Sequence, residues 1–123
     1  MGQLLASVIA DDRFSRILTE RRRQLGRHAV VIGRAARRAE RESLVESVLG
    51  KSLASAGLDL LELTEYAWHD CYGEITPPDD VILDILICSR GDLAAMIRAA
   101  KLAVRDSRDL YLAARHVQSQ EQA

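Results

Sequence analysis

The chain has few aromatic residues, two prolines and two cysteines, and these low counts argue against certain fold classes and cellular locations. Strands favour aromatic and β-branched residues, so one Trp and one Phe argue against an all-β fold. No apolar run approaches the roughly 20 residues that a membrane-spanning helix needs. The N-terminus lacks the basic start of a secretory signal. Because disulfides form mainly in exported proteins, we predict that the two cysteines are reduced thiols. We therefore expect a soluble, cytoplasmic protein that does not enter a membrane.

Patterns for a cofactor or a nucleophile are also missing. Gly33-Arg34-Ala35-Ala36 follows an apolar run but lacks the further glycines of a phosphate-binding loop. His69 and Cys71 stand two positions apart, which on a helix directs them to roughly opposite sides and prevents a Cys–His dyad. We predict no cofactor and favour a non-enzymatic protein.

What the chain does contain is helix-forming residues, with Ala, Leu, Arg and Glu dominating its 123 positions. The pattern predicts an all-α, four- to five-helix, bundle-like domain with a short buried helix over residues 77–88 at its centre. Residues 81–88 are apolar on all sides except at Asp84, for which we expect an Arg partner or partial exposure. Thr76 is the expected N-cap of this helix and Pro77 its first residue.

Two longer helices are predicted around this centre. The first follows Gly57 and carries an apolar face that includes Leu61, Trp68 and Cys71. The second runs from residue 92 to residue 117. A polar tail over residues 118–123 is expected to fray.

Charge divides the chain near residue 41. Residues 1–41 contain ten arginines and four acidic residues, a balance of +6, whereas residues 42–123 have a balance of −7. This predicts a basic N-terminal helical arm, which includes a helix over residues 3–25, and an acidic helical body. The whole chain is arginine-rich, with fifteen Arg and two Lys.

The hydrophobic pattern changes at the same place. Val31, Ile32, Ala35, Ala36 and Ala39 share one helical face, with arginines opposite. Beyond Ser43 the pattern inverts, and apolar residues take the side that the arginines occupied. Either the helix kinks around residues 41–43, or it continues and packs opposite faces against different partners.

Our first hypothesis is a non-enzymatic protein–protein interaction or oligomerisation module, most simply a homo-oligomer. Its candidate basic face is Arg21, Arg22, Arg23, Arg27, Arg34, Arg37, Arg38 and Arg41, and its candidate apolar stripe is Leu44, Val45, Val48 and Leu49. The second hypothesis is a nucleic-acid-binding protein that uses the same arginines to neutralise phosphates. As an alternative to phosphate binding, the arginines could pair with acidic residues of the body, and this would also explain why the chain has a basic and an acidic part.

The third hypothesis is a metal-dependent helical enzyme. Glu62, Glu65 and His69 lie on one helix face with the spacing of possible ligands. The set lacks the Glu-x-x-His pattern of di-metal bundles, and its face is predicted to point to solvent. We expect a solvated acidic face here and predict no metal site.

Overall fold

A computed structural model describes residues 33–122, and five α-helices occupy most of that range. They are α1 (Arg34–Leu49), α2 (Lys51–Tyr72), α3 (Asp79–Ser89), α4 (Leu93–Arg105) and α5 (Ser107–Gln122). No strand occurs among the described residues, so the predicted all-α, bundle-like fold is confirmed. The predicted helix of residues 3–25 lies outside the described residues, as do Arg21, Arg22, Arg23 and Arg27 of the candidate basic face.

A single residue, Gly50, connects α1 to α2. Its φ of 87° lies in the region that favours glycine, and its N–H donates to the carbonyl of Glu46 at 2.8 Å. Val45 approaches Gly57 and Arg37 approaches Glu65, so the two helices run antiparallel as a hairpin. The joint at Gly50 therefore fixes which residues of α1 face which residues of α2.

The predicted helix start after Gly57 is wrong, because Gly57 lies inside α2. Its missing side chain lets α1 come close. A Cβ built at this position would overlap Leu49 Cδ1 and lie 2.9 Å from Val45 Cγ1. The glycine marks a close helix crossing and not a helix boundary.

The predicted apolar face of α1 is also wrong. Ala35, Ala36 and Ala39 are exposed, whereas Arg37 and Arg41 are buried, and Val31 and Ile32 lie outside the described residues. The helix runs through residues 41–43 without interruption. One continuous side of α1 carries Arg37, Arg41, Val45, Val48 and Leu49 against the rest of the bundle. The arginines and the apolar stripe are therefore two parts of the same buried side.

Helix α3 is buried, as predicted, whereas α4 packs against three helices, α2, α3 and α5. Ile85, Leu86 and Ile87 are almost completely buried, and α3 packs against both α4 and α5. Its predicted start is two residues too early, because the helix begins at Asp79 after Pro78. Thr76 does not cap α3, since its hydroxyl accepts a hydrogen bond from Arg41 Nη2 at 2.9 Å.

The predicted long helix of residues 92–117 is two helices, broken at Asp106. Each begins at an aspartate whose carboxylate accepts a backbone N–H, Asp92 from Ala95 at 2.9 Å and Asp106 from Asp109 at 3.1 Å. Helix α5 then continues to Gln122, so residues 118–122 of the predicted polar tail are helical in the structure, and fraying of the tail stays a prediction. The break turns α5 so that Leu110 and Ala114 become buried.

All five helices contribute to one hydrophobic core, which includes Val45, Leu61, Ile85, Met96 and Leu110. The proposed boundary between the arm and the body falls inside α1, and the division stays a prediction because most of the arm precedes residue 33. No helix within residues 33–122 is long and apolar enough to cross a membrane.

Candidate functional site

The most polar feature of the interior is an ion cluster between α1 and α2, formed by Arg37, Arg41 and Glu65. Arg37 donates from Nε to Glu65 Oε2 at 2.6 Å and from Nη2 to Oε1 at 3.1 Å. Arg41 donates to the same Oε2 at 2.8 Å, and its second nitrogen reaches Thr76. All three charged side chains are buried. Both carboxylate oxygens of Glu65 thus accept hydrogen bonds from arginine side chains.

The arginines also determine the charge state of Glu65. Burial alone would raise the pKa of this carboxyl group. The hydrogen bond from Arg37 and the positive charges of Arg41 and Arg37 outweigh burial and hold the pKa of Glu65 below its ordinary value. Glu65 is therefore an ionised partner of two cations at neutral pH and is poorly suited to act as a general acid.

Glu62, Glu65 and His69, the residues considered as metal ligands, do not form a metal-binding group. Glu65 turns inward, Glu62 faces Arg38 at 3.3 Å, and His69 is exposed with Nδ1 3.3 Å from the carbonyl of Glu74. The predicted solvated acidic face is thus wrong at Glu65. Within residues 33–122, no three side chains among His, Cys, Asp and Glu are arranged to hold a metal ion.

Three of the four described arginines of the candidate basic face pair with acidic residues of α2. Arg37 and Arg41 share Glu65, and Arg38 donates to Asp59 at 2.7 Å and lies 3.3 Å from Glu62. The sequence left open whether these arginines pair with the acidic body or with phosphate. For these three, the acidic partner lies in the same chain.

The fourth arginine, Arg34, is arranged differently. Its guanidinium carbon lies 4.3 Å from the centre of the Tyr66 ring, and no carboxylate within residues 33–122 contacts it. Arg34 and Tyr66 line an open cavity of about 210 Å³ together with Arg37, Glu65, His69 and Ile75. We call this cavity the α1–α2 pocket.

Large apolar side chains stand exposed around the α1–α2 pocket. Tyr66 and Ile75, which line it, are 50% and 61% exposed. Leu63, one helical turn before Tyr66 on α2, is 65% exposed. We call Arg34, Leu63, Tyr66 and Ile75 the pocket face. The sequence pattern did not predict this face, although Ile75 is an apolar residue in the turn between Gly73 and the two prolines.

The candidate apolar stripe does not belong to this surface. Val45, Val48 and Leu49 are buried in the core of their own chain, and Leu44 packs against that core. An uncovered stripe was the reason to expect an intermolecular contact there, and the structure removes that reason.

The two cysteines also differ from each other. Cys71, predicted to be a core residue, is exposed near the end of α2. Cys88 is partly buried beside Asp84. Burial and the negative charge of Asp84 raise the pKa of the Cys88 thiol to about 11. Both thiols are free.

The Arg partner expected for Asp84 is present. Arg115 of α5 donates from Nη2 to Asp84 Oδ1 at 2.7 Å. The guanidinium carbon of Arg115 also lies 4.8 Å from the centre of the Tyr111 ring. The chain therefore contains a second tyrosine-stacked arginine, and this one is bound to a carboxylate.

Comparisons with protein-family models, with curated proteins and with solved structures find no match for this chain. Any function must follow from the side chains themselves.

Proposed function

We propose that this protein is a non-enzymatic protein-interaction module that binds its partner through the pocket face. The observation that carries the proposal is the exposure of Tyr66 and Ile75 in the lining of one concave surface, with Leu63 exposed one helical turn before Tyr66. Single exposed apolar residues are common on soluble proteins. A group of large ones around a depression is typical of a surface that another protein covers.

The residue types of the pocket face support a protein partner. Tyr and Arg are enriched among the residues that contribute most to protein–protein binding, and Arg34 is already stacked on Tyr66. The cavity, at about 210 Å³, is smaller than the roughly 300–1,000 Å³ of sites that enclose a cofactor or drug-sized ligand. These dimensions favour a few side chains of a partner over a bound small molecule.

The charges near the pocket face favour protein over nucleic acid. Phosphate binding draws on arginines whose charge is not already compensated. Arg37, Arg38 and Arg41 each contact a carboxylate of α2, which lowers the positive potential that they offer to a phosphate backbone. The partner in this proposal is a second copy of the chain or a different protein, and the proposed location is the cytoplasm, where free thiols such as Cys71 and Cys88 are stable.

A site-specific crosslink tests the proposal. Tyr66 is replaced by the photoreactive residue p-benzoylphenylalanine, and the full chain is irradiated in its native host. We expect one reproducible crosslinked polypeptide. A product of twice the chain mass identifies a second copy, and any other mass a different protein.

Tyr111 provides a matched control. It is 49% exposed, close to the 50% of Tyr66, and an arginine stacks on it as well. The same replacement at Tyr111 should give no such product. Absence of a crosslink at position 66, or equal crosslinking at both positions, would contradict the proposal.

A further inference from the structure

We infer that the α1–α2 pocket binds a single carboxylate group, donated by an acidic side chain of the protein partner. The inference rests on the proposed function, because it names the chemistry that the partner brings to the pocket face. The observation behind it is Arg34, a cation that lines the pocket and contacts no carboxylate within residues 33–122.

The chain contains a filled version of the same arrangement. Arg115 stacks on Tyr111 and donates to the carboxylate of Asp84, which belongs to another helix. Arg34 stacks on Tyr66 in the same way. Stacking uses the face of the guanidinium group and leaves the N–H donors at its edge available for a planar carboxylate. The carboxylate is the component that distinguishes the two arrangements.

The electrostatics of the pocket favour an anion. Arg34 and Arg37 line the cavity with Glu65, and Arg41 contacts Glu65, so the cavity and its ion cluster contain three guanidinium groups and one carboxylate. Arg34 and Arg37 also belong to the first turn of α1, which contains no acidic residue and no side-chain cap. The positive end of the helix dipole therefore adds to the attraction for negative charge.

The shape and lining of the pocket favour an acidic side chain in particular. Its volume of about 210 Å³ suits a side chain, and Tyr66 and Ile75 offer apolar surface to the methylene groups that precede a carboxylate. Inorganic phosphate has no methylene groups to place on this apolar surface, so the lining favours an acidic side chain over phosphate. Arg34, which contacts no carboxylate within residues 33–122, provides one guanidinium group for the single negative charge of an acidic side chain.

Titration of the ¹⁵N-labelled full chain with N-acetyl-glutamate methylamide tests the inference by NMR. The matched neutral probe is N-acetyl-glutamine methylamide, and inorganic phosphate is the third probe. We expect saturable shifts of the amides of Arg34, Tyr66 and Ile75 with the glutamate derivative and no saturation with the glutamine derivative. Arg34→Gln should weaken binding about ten-fold or more, since it removes a charge-assisted hydrogen bond. Arg98→Gln, at an exposed position of α4 outside the pocket, should leave binding unchanged.

Equal shifts with the two amino-acid derivatives, tighter binding of phosphate, or undiminished binding by Arg34→Gln would overturn the carboxylate assignment. Arg34 is exposed, so its replacement is not expected to unfold the chain, and circular dichroism verifies this. The crosslink at position 66 separates the two proposals. A crosslink without glutamate binding leaves the interaction surface and removes the carboxylate. Glutamate binding without a crosslink leaves the anion site and removes the proposed function.

Discussion

Two buried carboxylates, Glu65 in α2 and Asp84 in α3, are neutralised in different ways. Each is only 4% exposed. Glu65 binds two arginines that are themselves buried, whereas Asp84 binds Arg115, whose side chain is 40% exposed. A cation at the surface can return to water when its partner is lost, but a buried cation cannot. The location of the arginine, more than that of the carboxylate, therefore determines how costly each contact is to break.

The largest expected effect is at Glu65. Glu65→Gln leaves Arg37 and Arg41 buried without the charge that they share, and we expect it to destabilise the protein by about 3–5 kcal/mol. Urea unfolding followed by circular dichroism measures the difference.

A triple replacement separates the effect of unpaired charge from the effect of lost packing at this cluster. Arg37→Met, Arg41→Met and Glu65→Leu together replace the ions with apolar side chains, which is often neutral or stabilising in buried clusters. We expect the triple variant to be far more stable than Glu65→Gln alone. If the two were equally unstable, packing rather than unpaired charge would account for the loss.

Acid should weaken the Glu65 cluster selectively. Because the folded pKa of Glu65 is below its unfolded value of about 4.3, the cluster contributes fully above that pH and progressively less as pH falls through the folded pKa. The stability gap between the wild-type chain and Glu65→Gln should therefore narrow below about pH 4.3. Unfolding curves at several pH values between about 3 and 6 measure this gap. A gap that does not change with pH would show that the carboxyl group is not the titrating partner.

The second ion pair should be less costly to break. Asp84→Asn keeps the shape of the side chain and lets the guanidinium group of Arg115 turn toward solvent. We expect a loss of about 1–2 kcal/mol, clearly smaller than for Glu65→Gln, under the same unfolding conditions. Equal losses at the two sites would remove the distinction between buried and surface arginines.

The smallest expected effect concerns the reactivity of Cys88. With a pKa of about 11, this thiol should react far more slowly than exposed Cys71 with a disulfide reagent near neutral pH. Asp84→Asn removes a charge that raises that pKa and should speed the reaction of Cys88 a few-fold. Mass spectrometry of the labelled peptides assigns each rate. A rate at Cys88 that does not respond to the substitution would show that burial alone protects the thiol.

The sequence predicted the elements that depend on local chemistry. The apolar run ending at Cys88 predicted a buried helix, and Asp84 within it predicted an arginine partner, because a buried carboxylate needs one. The start of a helix at residue 92 was also predicted, and α4 begins at Leu93. These features follow from hydrophobic periodicity and from side-chain capping, which are properties of neighbouring residues.

The candidate site depended on long-range pairing that periodicity does not reveal. Arg37 and Arg41 were assigned to a solvent-exposed face because charged side chains are usually exposed. The pattern could not show that Glu65, on the next helix, lies opposite them and pairs with them. The same error assigned Ala35 and Ala39 to the interior. Gly57 was taken as a boundary because a glycine at a helix crossing and a glycine at a helix end look alike in sequence. Arg34 and Tyr66 come together only once the hairpin has formed.

Joining α1 to α2 through Gly50 alone has a consequence for the order of folding. The entropy lost on closing a loop rises with the number of residues that it encloses, so contacts near Gly50 form at the least cost and the Arg37–Glu65 contact, 28 residues apart, at a greater cost. We expect the hairpin to close from Gly50 outward, with the ion cluster formed late. Stopped-flow kinetics should then show that Val45→Ala slows folding, whereas Glu65→Gln mainly speeds unfolding. The ion cluster would set how long the hairpin stays closed rather than how quickly it forms.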